Sequence, residues 1–305
     1  MPWLPVRRGR WTTARLDPQR ARATRLFYDE TGGYAAWSEY CRACLSRSVD
    51  APPEDGLARR GFEVVPVLSA FDAAAIKTTI LSRTSTSKAS KKDIDYADVM
   101  QFDDSSFLLP IVEQILSRDM DGRLVSHFRS EYFVYSITVG RTAPARRSRR
   151  SFLWHCDRGP RDFLKINLFL DATAEHGSTT GFIDRTASAA LEHLGYTFGP
   201  NKRRVADLGP LARHAGIEVQ PVHPDVKAGE ALLFEPANVL HRGILPDRGT
   251  RHLLSLMLLP SPVPWRDAWT VTARTRAAET TLGHWLPEAD ALFDMIGVPR
   301  PVGGL

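Results

Sequence analysis

The stretch Phe152-Leu153-Trp154-His155-Cys156-Asp157-Arg158-Gly159 holds an imidazole and a carboxylate two residues apart. On a strand end, a side-chain period of two would turn both to one face, where they could share a metal ion. Cys156 between them would then pack on the opposite side. A His-x-Asp triplet is a weak signal by itself, and the chain carries a second, His223-Pro224-Asp225. The proline in its middle cannot donate to a β-ladder, so this second copy reads as a loop turn.

His241 ends the apolar run Phe234-Glu235-Pro236-Ala237-Asn238-Val239-Leu240, just before Arg242-Gly243. Taken alone it would be a buried histidine satisfied by backbone. With His155 and Asp157 it completes two imidazoles and one carboxylate, a set that leaves open positions on one side of a metal. Non-haem Fe(II) oxygenases use that arrangement. Arg251 opens the last predicted strand ten residues later. A guanidinium fixed beside a metal holds a carboxylate through two parallel hydrogen bonds, as an anionic cosubstrate requires; a surface ion pair is the plainer alternative.

The elements that must position these residues follow from pattern. Between Thr13 and Ser48, apolar residues such as Leu16, Leu26, Tyr34 and Trp37 interleave with arginines, which predicts amphipathic helices covering another surface. Ala51 to Gly56 reads as a linker. Gly61 to Val67 is a short β-rich run, followed by a helix through Ile80 capped by Ser69 or Asp72, an exposed Ser82 to Lys92 loop, and a helix over Leu108 to Phe128.

Eight β-rich segments then follow: Tyr132 to Val139, Ser151 to Cys156, Phe163 to Asp171, Ser178 to Ile183, Ile217 to Val222, Glu230 to Glu235, Asn238 to Arg242 and Arg251 to Leu259. Their spacing predicts a mainly β fold with flanking helices (α+β) and a jelly-roll core. The division expected is a helical extension over 1–60, a jelly-roll domain over 61–262 with an insertion at about 186–216, and a helical segment over 263–305.

Composition bounds the function. The chain has 305 residues, 40 basic and 35 acidic, with 43% hydrophobic residues, which excludes disorder and a disulfide-stapled miniprotein. The three cysteines, Cys41, Cys44 and Cys156, cannot all pair within the chain, so a reducing cytoplasm is expected and the first two read as core thiols. No apolar run reaches the roughly 18 residues of a membrane span, and no membrane partner is expected. The basic residues are 33 arginines and 7 lysines, a skew that coding bias explains, so no nucleic-acid partner is expected. Five arginines crowd Gly140 to Arg150, the loop leading to His155. That loop is either a solvated surface or a lid recruiting an anionic substrate.

The pieces Gly61-Phe62-Glu63-Val64-Val65-Pro66-Val67, Trp154-His155-Cys156-Asp157, Leu164-Lys165-Ile166-Asn167-Leu168-Phe169-Leu170-Asp171, Gly177 to Gly181, Ala228 to Phe234 and Leu240 to Gly243, in this order, resemble the phytanoyl-CoA dioxygenase superfamily. The resemblance covers about Gly61 to Leu259. It implies a cupin-like double-stranded β-helix and a dioxygenase that uses Fe(II), 2-oxoglutarate and O2 on a small-molecule substrate, releasing succinate and CO2. His155, Asp157 and His241 would ligate iron, and Arg251 would bind the far carboxylate of 2-oxoglutarate. Leu253 stands where an Arg-x-Ser pattern would place a serine, so Ser255, on the same strand face as Arg251, is the expected substitute. Asn167, on the middle strand of the site, is either a further 2-oxoglutarate contact or an edge-facing polar residue. Related halogenases carry a small residue in place of the carboxylate, so Asp157 implies hydroxylation or another oxidative step. Two other classes stay open: a jelly-roll metal enzyme such as a zinc hydrolase or cupin-like isomerase, and a non-catalytic binding module on the same fold.

Overall fold

The computed structural model describes residues 16–49, 56–84, 91–94, 97–100, 102, 106–199, 201–269 and 288–300. It combines helices with antiparallel sheet. The opening helices are α1 (Pro18–Leu26), a π-helical turn (Phe27–Thr31), α2 (Tyr34–Ala43) and α3 (Gly56–Arg60). There follow β1 (Phe62–Pro66), α4 (Ala70–Arg83), β2 (Lys91–Ile94), β3 (Ala97–Val99), α5 (Leu108–Ile115), α6 (Arg118–Phe128) and β4 (Glu131–Thr142). The second half holds β5 (Leu164–Phe169), α7 (Thr173–His176), β6 (Thr180–Phe182), α8 (Arg185–His193), α9 (Gly209–Ala215), β7 (Glu230–Phe234), β8 (His241–Gly243), β9 (Arg251–Ser261) and α10 (Asp290–Ile296).

Seven strands form one sheet in the order β1-β7-β5-β9-β4-β3-β2, and β6 pairs with β8 in a second. Alternation along β9 explains the layering. Leu254, Leu256 and Leu258 are fully buried against Ile166, Leu168 and the apolar faces of α4, α5 and α6. Each such side chain contributes roughly 1.5–3 kcal/mol of hydrophobic stabilisation. The intervening residues Arg251, Leu253, Ser255 and Met257 therefore turn to the opposite face. There the two sheets meet: Phe62 of β1 stacks on Phe182 of β6 at 4.4 Å, and Phe234 of β7 meets Phe182 edge-on at 5.1 Å.

The helices anchor to this frame through specific polar groups. Ser69 caps α4, its hydroxyl accepting the Asp72 N–H at 3.1 Å, as the sequence predicts. Trp37 of α2 donates its indole N–H to Pro260 O at 3.1 Å. Arg25 at the end of α1 is buried, pairs with both oxygens of Glu192 on α8 at 2.5 and 2.9 Å, and donates to Ala237 O at 2.6 Å. Among the described residues no helix is long and apolar enough to cross a membrane.

Several expectations are corrected. Ser151 to Cys156 is not a strand: Arg150–Phe152 is a 3-10 turn, and only Trp154 and His155 form isolated bridges, to Val205 and His241. Ile217 to Val222 likewise contributes only the bridge Val222 to Phe182. Both segments have β-forming residues but lack a neighbour with which to extend a ladder. These bridges lengthen the β6–β8 pair on both sides. The strand expected at Asn238 begins only at His241, because Pro236 and Ala237 form a turn closed by Asn238 N–H to Glu235 O at 3.0 Å. The predicted 108–128 helix breaks at Leu116 and Ser117. Cys41 is fully buried but Cys44 is exposed at the end of α2, so only one of the pair is a core thiol. Most of the Ala51 to Gly56 linker and the start of the C-terminal helix, expected from Arg274, lie outside the described residues.

Candidate metal centre

His155 and His241 face each other across the bridge joining their backbones, with N–H to O distances of 3.1 and 2.9 Å. Their rings lie 4.5 Å apart and both are buried. Each ring is oriented by its own chain. His155 Nδ1 lies 2.7 Å from Leu153 O, and His241 Nδ1 lies 3.0 Å from Val239 O. A carbonyl only accepts, so each Nδ1 carries the proton and each Nε2 offers a lone pair to a metal. The backbone thus supplies the ligand orientation that neighbouring groups provide in metal sites generally.

Asp157 closes the cluster. Its N–H donates to Pro236 O at 2.8 Å, which fixes its backbone beside the two histidines. Oδ1 is 3.4 Å from His155 Nε2 and Oδ2 is 3.8 Å from His241 Nε2. With one ligand atom from each, the three side chains lie within 4.8 Å of one another. Ligands bound about 2.1 Å from one metal at angles between square and tetrahedral lie about 3.0–3.5 Å apart, so the side chains would draw together to seat an ion here. Among the described residues, these three form the group of side chains able to hold a metal. The second triplet does not contribute: His223 sits in an exposed loop against Gly181.

Electrostatics follows from burial. Burial pushes the His241 imidazole down to about 3, with His155 adding to the effect. Burial, then Arg204, lowers His155. Burial alone would raise the Asp157 carboxyl, but the Lys165 ammonium and the two imidazoles hold it well below the carboxylate range. Near pH 7 the site is therefore two neutral donors and one anion, the protonation a metal needs.

A stability prediction follows for the apoprotein. Unfolded histidine titrates near 6.5, so below that pH the unfolded chain binds protons that the folded chain refuses. Stability is fully present above pH 6.5 and falls as the pH drops toward 3; Asp157 acts in the same direction below its ordinary 3.8. The melting temperature of metal-free protein should decline from pH 7 to 5, and less steeply in His241→Gln. A flat profile in the wild type would contradict the buried neutral pair.

Arg251 is 6% exposed. It donates to Thr179 O at 3.2 Å and more loosely to Thr142 Oγ1 at 3.5 Å, while its Nε is buried with no hydrogen-bond partner. Burial pushes its pKa down to about 10. Among the described residues it forms no salt bridge, and its burial overturns the surface ion-pair alternative. Ser255, four residues along the same face of β9, donates to Asn167 Oδ1 at 2.6 Å, so the two polar candidates meet across the β5–β9 pair.

Sequence reasoning passed over Lys165. It shares a β5 face with Asn167, its Nζ lies 2.7 Å from Asp157 Oδ2, and its charge sits 5.7 Å from the centre of the Phe234 ring. The signal was present: Leu164-Lys165-Ile166-Asn167 alternates polar with apolar residues inside an otherwise apolar strand. Of the arginine-rich loop, Arg141 pairs with Asp98 at 2.6 Å, and Arg146, Arg147, Arg149 and Arg150 are exposed.

No protein-family model matches the chain, and no curated protein matches its sequence. Solved structures do. The chain is similar to EctD from S. alaskensis, solved with 2-oxoglutarate and 5-hydroxyectoine, at 15% identity and a TM-score of 0.50 over 70% of this chain and 78% of that one. It is also similar to the non-heme alpha ketoglutarate dependent epimerase SnoN from nogalamycin biosynthesis, at 15% identity and a TM-score of 0.47 over 74% of this chain and 84% of that one. At such identities the likeness is one of fold, and the fold this chain shares is that of EctD.

Proposed function

We propose that the chain is an Fe(II)- and 2-oxoglutarate-dependent dioxygenase on a double-stranded β-helix formed by residues 61–262, with the two sheets as its walls. The observation that carries this reading is the presence of a three-ligand cluster together with a buried guanidinium that has no carboxylate partner among the described residues. A buried, unpaired charge is costly unless an anion completes it. A zinc hydrolase or cupin-like isomerase has no use for such an anchor, and an unused site has no reason to keep all three ligands.

His155, Asp157 and His241 would hold Fe(II), leaving positions free on one side of it. Arg251 would bind the far carboxylate of 2-oxoglutarate, with Thr142 and Thr179 fixing the guanidinium and Ser255 and Asn167 on the same interior surface. When bound, iron and 2-oxoglutarate supply the oxidising power from O2, with succinate and CO2 as by-products. The chain's own part is positioning and the exclusion of water, which Phe62, Phe182 and Phe234 perform around the histidines. The substrate is a small molecule beside the metal, and the exposed arginines at 146–150 favour an anionic one. Asp157 favours hydroxylation. The free cysteines suit a reducing cytoplasm.

Anaerobic titration of the protein with Fe(II) and then 2-oxoglutarate tests the reading. The weak visible charge-transfer band of an iron–2-oxoglutarate pair should grow to one equivalent, and His155→Ala should lose it. A wild-type protein that binds Fe(II) without developing the band is not a 2-oxoglutarate enzyme.

A further inference from the structure

Asp157 has two oxygens in different environments. Oδ1 faces His155 Nε2 at 3.4 Å, whereas Oδ2 is 2.7 Å from the Lys165 ammonium and 3.8 Å from His241 Nε2. Lys165 is held on a central strand, opposite Phe234 of β7 and Met257 of β9, with only 14% of its side chain exposed. Its approach is therefore set by the sheet and not by a mobile stem. A carboxylate can bind a metal through one oxygen or two, and the second mode takes up a position that a chelating cosubstrate or dioxygen would need.

We propose that Lys165 is a positioning residue that holds Oδ2 of Asp157 and limits the carboxylate to one-oxygen binding through Oδ1. This rests on the metal and cosubstrate reading above and adds to it a residue outside the candidate ligand set, acting through Asp157. The ammonium fits the task because it is a compact charge with donors only, so it competes for the free oxygen without itself becoming a ligand. A charge-assisted hydrogen bond of this length is among the stronger polar contacts a protein makes.

Co(II) is the probe, because its visible absorption weakens and shifts as coordination number rises. Wild-type, Lys165→Met and Lys165→Arg proteins are loaded with Co(II), their spectra recorded before any cosubstrate is added, and 2-oxoglutarate then titrated by calorimetry. The expected result is a Lys165→Met spectrum altered toward higher coordination in the absence of 2-oxoglutarate. Co(II) affinity should stay within about threefold of wild type and 2-oxoglutarate affinity should fall at least tenfold, with Lys165→Arg restoring all three measures. A Lys165→Met spectrum superimposable on wild type overturns the proposal, even if 2-oxoglutarate binds more weakly, since the lysine would then act by charge alone. Loss of Co(II) affinity in Lys165→Met, or failure of Lys165→Arg to restore the wild-type spectrum, also overturns it. Wild-type protein that takes up Co(II) but no 2-oxoglutarate refutes the functional reading instead, and the wild-type arm reads that outcome separately.

Discussion

Arg251→Met should weaken 2-oxoglutarate binding by about 100-fold while leaving the metal-free protein as stable as wild type or more so. A guanidinium gripping a carboxylate makes two charge-assisted hydrogen bonds, together about 3 kcal/mol, and every 1.4 kcal/mol is a factor of about ten. In the free protein the same guanidinium has a carbonyl at 3.2 Å, a hydroxyl at 3.5 Å and an Nε with no partner. Methionine removes that uncompensated charge and keeps most of the volume. Arg251→Lys keeps charge but not the fork, so its loss should fall between the two. Calorimetry on Fe(II)-loaded anaerobic protein and thermal melts of apoprotein measure the two halves. Loss of stability without loss of affinity would mark Arg251 as a structural arginine and remove the cosubstrate anchor.

Asp157→Ala is expected to have the largest effect on the metal, at least 1,000-fold, because only two neutral imidazoles remain to hold a divalent ion. It should also destabilise the apoprotein by about 3–5 kcal/mol, since Lys165 is left buried without its counter-charge. Those two losses have separate causes and can be separated by a double variant. Asp157→Ala combined with Lys165→Met should recover most of the folding free energy and none of the metal binding. Urea denaturation and Co(II) titration report each. If the double variant is no more stable than the single, the lysine and aspartate are not a buried pair in solution.

The cluster itself was legible because it depends on residue type and order: His155, Asp157 and His241 are brought together. The reason first given for His155 and Asp157 sharing a face, the period of a strand, does not hold. Their backbones are placed by contacts remote in sequence, His155 by its bridge to His241 and Asp157 by its N–H to Pro236 O. Such contacts join distant parts of the chain and leave no local pattern. The same limit explains Ile217 to Val222, whose alternation is real but whose ladder never forms. The helix break was readable, since Ser117 with Asp119 and Asp121 is a helix start inside the apolar pattern. Lys165 was visible as a polar residue out of place, but its partner eight residues earlier could be named only once the sheet had set its direction.

Arg25 links the first described helix to α8 through Glu192 and to the turn after β7 through Ala237 O, and the preceding residue of that turn, Pro236, receives the Asp157 N–H. The seat of the carboxylate is thus tied mechanically to a part of the chain far removed from it in order of synthesis. A shortened protein that starts at β1 would keep every candidate ligand and every strand of the large sheet, yet it would lose this brace. Trimming the opening helices to ease crystallisation would therefore yield a poor surrogate for the full chain.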